Sequence, residues 1–156
     1  MATRLIKTQG TGTSTKKFTF SAWIKKSSNT TDHDQVIYGS YNDGSNRITL
    51  YFTSNKLALY VAVSGSTIGA FTTNRLFRDV SAWYHIVLAV DTTQGTSSNR
   101  IKLYVNGIQE TSFASTTYPS QDAVLPTGTS SYQHALGYYS GGGSSAFIGY
   151  LSHPAL

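Results

Sequence analysis

The stretch Arg100-Ile101-Lys102-Leu103-Tyr104-Val105-Asn106-Gly107 constrains this chain more than any other. Ile101, Leu103 and Val105 alternate with Arg100, Lys102 and Tyr104, the two-residue period of a strand with one dry face and one wet face. Asn106-Gly107 follows at once, and these two residue types accept the positive φ angles of a tight hairpin turn. A short polar loop upstream, Trp83-Tyr84-His85-Ile86-Val87-Leu88-Ala89-Val90-Asp91 is apolar on both faces, as a central strand covered on both sides would be. The chain therefore builds β-sheet.

The same period recurs elsewhere. Phe18 to Lys25 sets Phe18, Phe20, Ala22 and Ile24 against Thr19, Ser21, Trp23 and Lys25. Gln35 to Gly39 is a short strand, followed by the turn cluster Asn42-Asp43-Gly44-Ser45-Asn46. Arg47 to Phe52 and Leu57 to Val63 form a hairpin around Ser54-Asn55-Lys56, with Ile48, Leu50, Phe52, Leu57, Leu59, Val61 and Val63 facing one core. Ile68 to Thr72 is expected at a sheet edge, and Ile108 to Phe113 should return along Arg100 to Val105. Ser115 to Ser131, with Pro119 and Pro126, reads as a long loop. Gln133 to Tyr138 and Ala146 to Leu151 are the last strands, separated by the Gly-Ser loop Ser140 to Ser145. No stretch longer than a turn carries a helical period. Many short strands between turn clusters indicate an antiparallel β-sandwich in which Phe20, Trp23, Leu50, Leu59, Val87, Leu103 and Ile148 are largely buried.

At 156 residues and 39% hydrophobic, the chain suits one domain with a sizeable core. Met1 to Thr15 lacks the apolar run of a signal peptide, and no segment approaches the roughly 20 apolar residues of a membrane span. The expectation is a soluble protein without membrane insertion. With no cysteine, neither disulfides nor thiolate metal ligands are available. Only 12% of residues are charged, and the net charge of +5 reflects scarce acids as much as bases. Such a surface of Ser, Thr, Asn, Gly and Tyr suits a particle exterior or a glycan-facing one, and equally an ordinary solvated β-protein.

Four segments in order carry a resemblance. Phe-Thr-Phe-Ser-Ala-Trp-Ile-Lys from Phe18, Trp83 to Asp91, Leu-Tyr-Val-Asn-Gly ending at Gly107, and His134 to Tyr150 with its Gly-Gly and Phe-x-Gly elements are similar to the core strands of laminin G-like jelly rolls. The resemblance implies an all-β, concanavalin A-like antiparallel sandwich over residues 18–156, preceded by an N-terminal arm, residues 1–17. The Ser/Thr/Tyr-rich texture and the Trp-Ile-Lys-Lys-Ser-Ser run look most like domains of tailed-phage virion proteins, especially from marine phages. Family domains usually continue past Phe-x-Gly-Tyr-Leu with a strand pairing near the N-terminus. Here the sequence ends at Leu156, so either a shortened strand or a neighbouring subunit is expected to complete the sheet, with Met1 to Lys17 or Ser152 to Leu156 ordered by that neighbour.

The resemblance also brings enzymes into view, because the superfold includes β-glucanases with a Glu-x-Asp-x-x-Glu strand. A retaining glycosidase needs two carboxylates about 5 to 5.5 Å apart, and this chain has Glu110 as its sole glutamate with no acid two or four residues on. His85 sits in an apolar strand and reads as a structural histidine beside Trp83. His33, His85, His134 and His153 show no metal spacing. Calcium has candidate ligands in Asp32 and Asp34, with Asp43 as a further hard oxygen donor, although these aspartates also suit turn capping. No other cofactor is expected. Lys16-Lys17, Lys25-Lys26, Arg75 and Arg78 are scattered rather than interleaved with aromatics, which argues against nucleic acid.

Recognition remains. The chain has eleven tyrosines, and Tyr38, Tyr41, Tyr118, Tyr132, Tyr138 and Tyr139 fall where loops should cluster. Tyr38, Tyr104 and Tyr150 equally suit a sheet's outer face. A tyrosine offers a flat face to a sugar ring and a hydroxyl to its edge. The expected carbohydrate site is therefore the loop end made by Tyr41, Asp43 and Asn46 with Tyr138 and Tyr139. The expected role is a non-catalytic display module of a phage particle, in a capsid decoration, fibre or tail. Its partners would be copies of itself and other virion proteins, with host surface glycans as candidate ligands. The alternative is a free-standing microbial lectin. The setting is a virion surface or the extracellular space.

Overall fold

A computed structural model describes residues 5–29, 33–138 and 145–156. Twelve strands run through them: β1 (Leu5–Thr8), β2 (Lys17–Lys26), β3 (Gln35–Asp43), β4 (Asn46–Thr53), β5 (Lys56–Val63), β6 (Ser66–Thr73), β7 (Tyr84–Asp91), β8 (Ile101–Val105), β9 (Ile108–Glu110), β10 (Phe113–Thr117), β11 (Gln133–Leu136) and β12 (Gly149–Ala155). They form a seven-stranded sheet ordered β1-β11-β3-β4-β5-β6-β10 and a five-stranded sheet ordered β12-β2-β7-β8-β9. Every pairing between named strands is antiparallel.

The alternating residues dictate this assembly. On the seven-stranded sheet Ile48, Leu50 and Phe52 pair into Val61, Leu59 and Leu57 across the β4–β5 ladder. On the five-stranded sheet Ile86, Leu88 and Val90 face Val105, Leu103 and Ile101. All twelve are buried in one core, and each sheet dries the apolar face of the other. Hairpin turns keep the registers. Ser54-Asn55, Ser64-Gly65 and Asn106-Gly107 each place both central residues at positive φ, the primed geometry that matches strand twist.

The expected sandwich is therefore present, with local differences. Trp23 is 43% exposed and Ile148 38% exposed, and Val87 is half-buried. Trp23 and Val87 occupy the odd phase of β2 and β7, whose even phase, Ala22, Ile24, Ile86 and Leu88, fills the core. Strand β7 lies centrally between β2 and β8 but is covered on its inner face only, and Trp83 stands before its start. His85 stacks on Trp23, not Trp83, with ring centroids 5.0 Å apart, because the β2–β7 register sets the two opposite each other. Tyr38 is in the core, stacked at 4.9 Å on Phe20, since a bulge between Val36 and Tyr38 turns its side chain inward.

Strand β6 is not at the edge. The chain leaves β8 through β9, then crosses to the other sheet and lays β10 along β6. Ile108 to Phe113 thus divides between two sheets, and the expected loop from Ser115 begins as strand. Within the loop proper, Leu125 enters the core and Ser40 Oγ donates to the Pro126 carbonyl at 2.6 Å, closing one end of the sandwich.

The final strand is β12 and pairs with β2, Leu151 opposite Ile24 and Ala155 opposite Ser21. Ala146 makes only an isolated parallel bridge to Val36. The arm contributes β1, which pairs with β11 as the outermost strand of the seven-stranded sheet. Leu5–Thr8 of the arm and Ser152 and Ala155 of the tail thus pair with strands of their own chain.

Lys26 continues the core phase of β2 and is fully buried. Its ammonium donates to Asn55 Oδ1 at 2.5 Å, to the Phe77 carbonyl at 3.1 Å and to Asn29 Oδ1 at 3.2 Å. It also lies 5.1 Å from the Phe52 ring centroid, where the π face favours a cation. Burial lowers its pKa.

Leu103 is wholly buried at the centre of the five-stranded sheet. Its truncation to alanine is expected to cost about 2–5 kcal/mol, the lost transfer energy plus the cavity left behind. Urea denaturation of the variant and the wild type measures this as a midpoint shift at constant m-value.

Candidate carbohydrate site

The β3–β4 hairpin carries three of the expected site residues, and its aspartate has a different task there. Asp43 Oδ1 accepts from the backbone N–H groups of Ser45 and Asn46, each at 2.8 Å, and from Asn46 Nδ2 at 3.1 Å. Asn42 Nδ2 donates to Oδ2 at 3.1 Å. These bonds, the Ser45 amide first, hold the Asp43 carboxyl below the usual carboxylate range. Asn46 Oδ1 in turn accepts from the Ser64 amide at 3.1 Å. Asp43 and Asn46 therefore cap turns, as Asx residues do.

Tyr138 does not join them. In the antiparallel β11–β3 ladder Gln133 faces Tyr41 and Leu136 faces Tyr38, and the Gly137 amide donates to the Ile37 carbonyl at 2.9 Å. Tyr138 thus follows the opposite end of β3 from Tyr41, roughly 16 Å away at a strand's rise per residue. Tyr138 and Tyr41 are not brought together, because two segments paired antiparallel leave the ladder at opposite ends. Tyr139 lies outside the described residues. So does Asp32, one of the two calcium candidates, and Asp34 is exposed. Among the described residues no group of three or more His, Asp or Glu side chains gathers as a metal site.

Between those two ends the outer face of the seven-stranded sheet forms an open trough of about 460 Å³, lined by Asp34, Val36, Arg47, Thr49, Tyr51, Tyr60 and Ser145. Pairing explains its shape. Thr49 lies opposite Gly39 on one side and Tyr60 on the other, and Tyr51 lies opposite Val36 and Ala58. Small residues on neighbouring strands make a floor between taller phenols. The Arg47 guanidinium sits 4.9 Å from the Tyr60 ring centroid, and its Nη1 donates to the Gly44 carbonyl at 3.0 Å. At the other end burial, and then the nearby Asp34 charge, raises the Tyr51 phenol pKa. Tyr51 keeps its proton at neutral pH and can donate as well as accept.

This set supplies two aromatic walls, a guanidinium near one end, a carboxylate near the other and a threonine hydroxyl between. Its residues were legible only as the polar phase of alternating strands: Arg47, Thr49 and Tyr51 interleave with Ile48, Leu50 and Phe52, and Tyr60 lies between Leu59 and Val61. The sole glutamate, Glu110, is elsewhere and committed: Oε2 accepts from Arg75 Nε at 2.6 Å and Oε1 from the Ser112 amide at 3.2 Å.

A second aromatic feature lies on the outer face of the five-stranded sheet. Trp23 and Trp83, 43% and 41% exposed, flank a shallow cleft of about 350 Å³ with Ser152 and His153.

The Asp43 turn predicts a pH effect. Its folded pKa is depressed, so its stabilising bonds are present above the unfolded value of 3.8 and are lost as pH falls through the folded pKa. Asp43→Asn should melt lower than wild type at neutral pH, and the gap should close under acid. Paired thermal melts from neutral pH to pH about 3 check this.

The fold has known counterparts, although no curated protein matches the chain. Domain 4 of AbnA, an extracellular arabinanase from Geobacillus stearothermophilus solved with arabinotriose, superposes with TM-score 0.61 at 20% identity, covering 89% of this chain and 59% of that one. The laminin α1 domains LG4-5 of mouse give 0.63 at 12% identity, over 95% of this chain and 36% of theirs. The CBM40 of a Ruminococcus gnavus sialidase, bound to α2,3 sialyllactose, gives 0.58 at 17% identity, over 86% and 71%. This chain thus spans little more than half of the arabinanase domain's chain and about a third of the laminin one. The family model described as the concanavalin A-like lectin/glucanases superfamily matches residues 3–156, and the chain belongs to that superfamily.

Proposed function

We propose that the protein is a non-catalytic carbohydrate-binding module whose ligand lies in the Arg47–Tyr51–Tyr60 trough. The observation that carries this reading is the trough's make-up: two phenols about a small-residue floor, with Arg47 and Asp34 toward opposite ends. Tyrosine rings stack on the C–H faces of a sugar, and the paired charges hydrogen-bond vicinal hydroxyls at its edges. A cation balanced by an anion favours a neutral sugar over an acidic one. The arabinotriose and sialyllactose held by two relatives of the same fold make an oligosaccharide the natural ligand class. The one glutamate, Glu110, is tied to Arg75 and lies outside the trough, which supports binding without hydrolysis.

A glycan array followed by calorimetry tests the site. Tyr51→Ala should weaken binding of the best neutral oligosaccharide by roughly tenfold or more, a loss of about 1–2 kcal/mol of stacking and hydrogen bonding, and Trp23→Ala should leave it unchanged. The two half-exposed tryptophans favour a second reading, with the sugar on the five-stranded sheet. The reverse pattern of losses would establish that reading instead.

The biological setting we propose is display on a phage particle, in a capsid decoration, fibre or tail, where copies of the module meet host glycans. Support comes from the low-charge, Ser/Thr/Tyr-rich surface and from the Trp-Ile-Lys-Lys-Ser-Ser run. A free-standing lectin is the alternative. A mass-spectrometric inventory of purified virions should recover this chain in many copies per particle, and its absence there would favour the lectin.

A further inference from the structure

The sandwich is open along one side, where β1 and β11 end the seven-stranded sheet and β12 ends the other. Between these edges lies a cleft of about 270 Å³, lined by Leu5, Phe20, Leu136, Pro154 and Leu156 together with Lys7, Tyr38 and His134. Its walls are otherwise hydrocarbon. His134 is the polar exception at depth: its Nε2 is buried and, among the described residues, has no hydrogen-bond partner. Buried polar atoms in native structures nearly always find a partner.

The proton on that nitrogen follows from its neighbours. Burial raises the Tyr38 phenol pKa well above the ordinary value, so the phenol stays protonated, and Thr127 bonds to the phenol oxygen. Tyr38 Oη lies 3.1 Å from His134 Nδ1, and assigning the phenol proton to Nδ1 makes Nε2 the N–H of a neutral imidazole. Burial, and then the Lys7 charge, lowers the His134 pKa and keeps the ring neutral. Lys7 and His134, opposite each other in the β1–β11 ladder, are therefore the basic side chains of the cleft, and among the described residues no acidic side chain lines it. Two donors of this kind over an apolar channel call for an acceptor carrying negative charge on an apolar tail.

We propose that this cleft binds a small amphiphilic carboxylate, its tail between the two sheets and its carboxylate shared by Lys7 Nζ and His134 Nε2. The site is separate from the trough on the outer sheet face, and its ligand is separate from any sugar. At about 270 Å³ the cleft lies at the small end of ligand pockets, which suits a short alkyl or aryl acid.

Titration of the whole chain with sodium octanoate at neutral pH, by calorimetry and by ¹⁵N spectra of the histidine rings, tests the proposal. One-site saturable binding with a shift of the His134 Nε2 resonance is expected. Lys7 is exposed on the outermost strand, so Lys7→Met should fold normally and bind octanoate about tenfold more weakly, the usual size of one charge-assisted contact. Octanol, with the same tail and no charge, should also bind about tenfold more weakly than octanoate. Lack of saturable octanoate binding would overturn the proposal. So would equal affinity for octanol, equal affinity in the Lys7→Met protein, or binding that leaves the His134 resonance in place.

Discussion

Each sheet of this protein has one face that cannot meet water, and the rest of the structure follows from that. Ile48, Leu50, Phe52, Leu57, Leu59 and Val61 on one sheet, and Phe20, Ala22, Ile24, Ile86, Leu88, Val90, Leu103 and Val105 on the other, belong to a single buried cluster. Neither sheet could stand alone, because its hydrocarbon would be bare. Closing the sheets face to face uses one phase of every strand and leaves the other phase outside. The outer faces, with Tyr51 and Tyr60 on one and Trp23 and His85 on the other, are thereby free of any packing duty across the sandwich.

Polar groups at the rim tie loops to this core. The buried Lys26 ammonium joins the end of β2 to the β4–β5 turn through Asn55 and to the segment after β6 through Phe77. The Phe77 amide returns the contact to the Asn55 carbonyl at 2.7 Å. A lysine buried without a carboxylate is costly unless its donors are satisfied, and here three oxygens and a ring face meet it. Replacing the partners would strand the charge, so this cluster selects one arrangement of the turns around it. At the opposite end Leu125 and the Ser40–Pro126 bond close the sandwich.

A binding surface built on strands differs from one built on loops. Thr49, Tyr51 and Tyr60 stand on neighbouring strands of one ladder, so their spacing is set by backbone hydrogen bonds. Preorganisation of this kind lowers the entropy lost when a ligand stacks. The open edge of the sandwich is the complementary case, a cleft whose polar groups come from Lys7 on β1 and His134 on β11 and whose roof is the end of β12.

Period-two alternation was enough to read the fold class, the β4–β5 and β7–β8 hairpins and most of the core, because a strand's inside and outside are written into adjacent residues. Asn106-Gly107 and the Asn42–Asn46 cluster announced their turns by local chemistry, which neighbours cannot override cheaply. Trp23 and Tyr38 resisted such reading. A large aromatic fits either face, and the β3 bulge that turns Tyr38 inward is a property of pairing with β4. The candidate site was hidden for the same reason. Tyr41 and Tyr138 look like neighbours in a loop cluster until the β3–β11 register sets them at opposite ends of one strand, while Arg47, Tyr51 and Tyr60 look like ordinary surface until the β4–β5 ladder brings them side by side. Alternation is a property of a single strand and is legible along the chain. Register and sheet order are agreements between strands far apart in sequence, settled by which pairing buries the most hydrocarbon while leaving no backbone group unpaired.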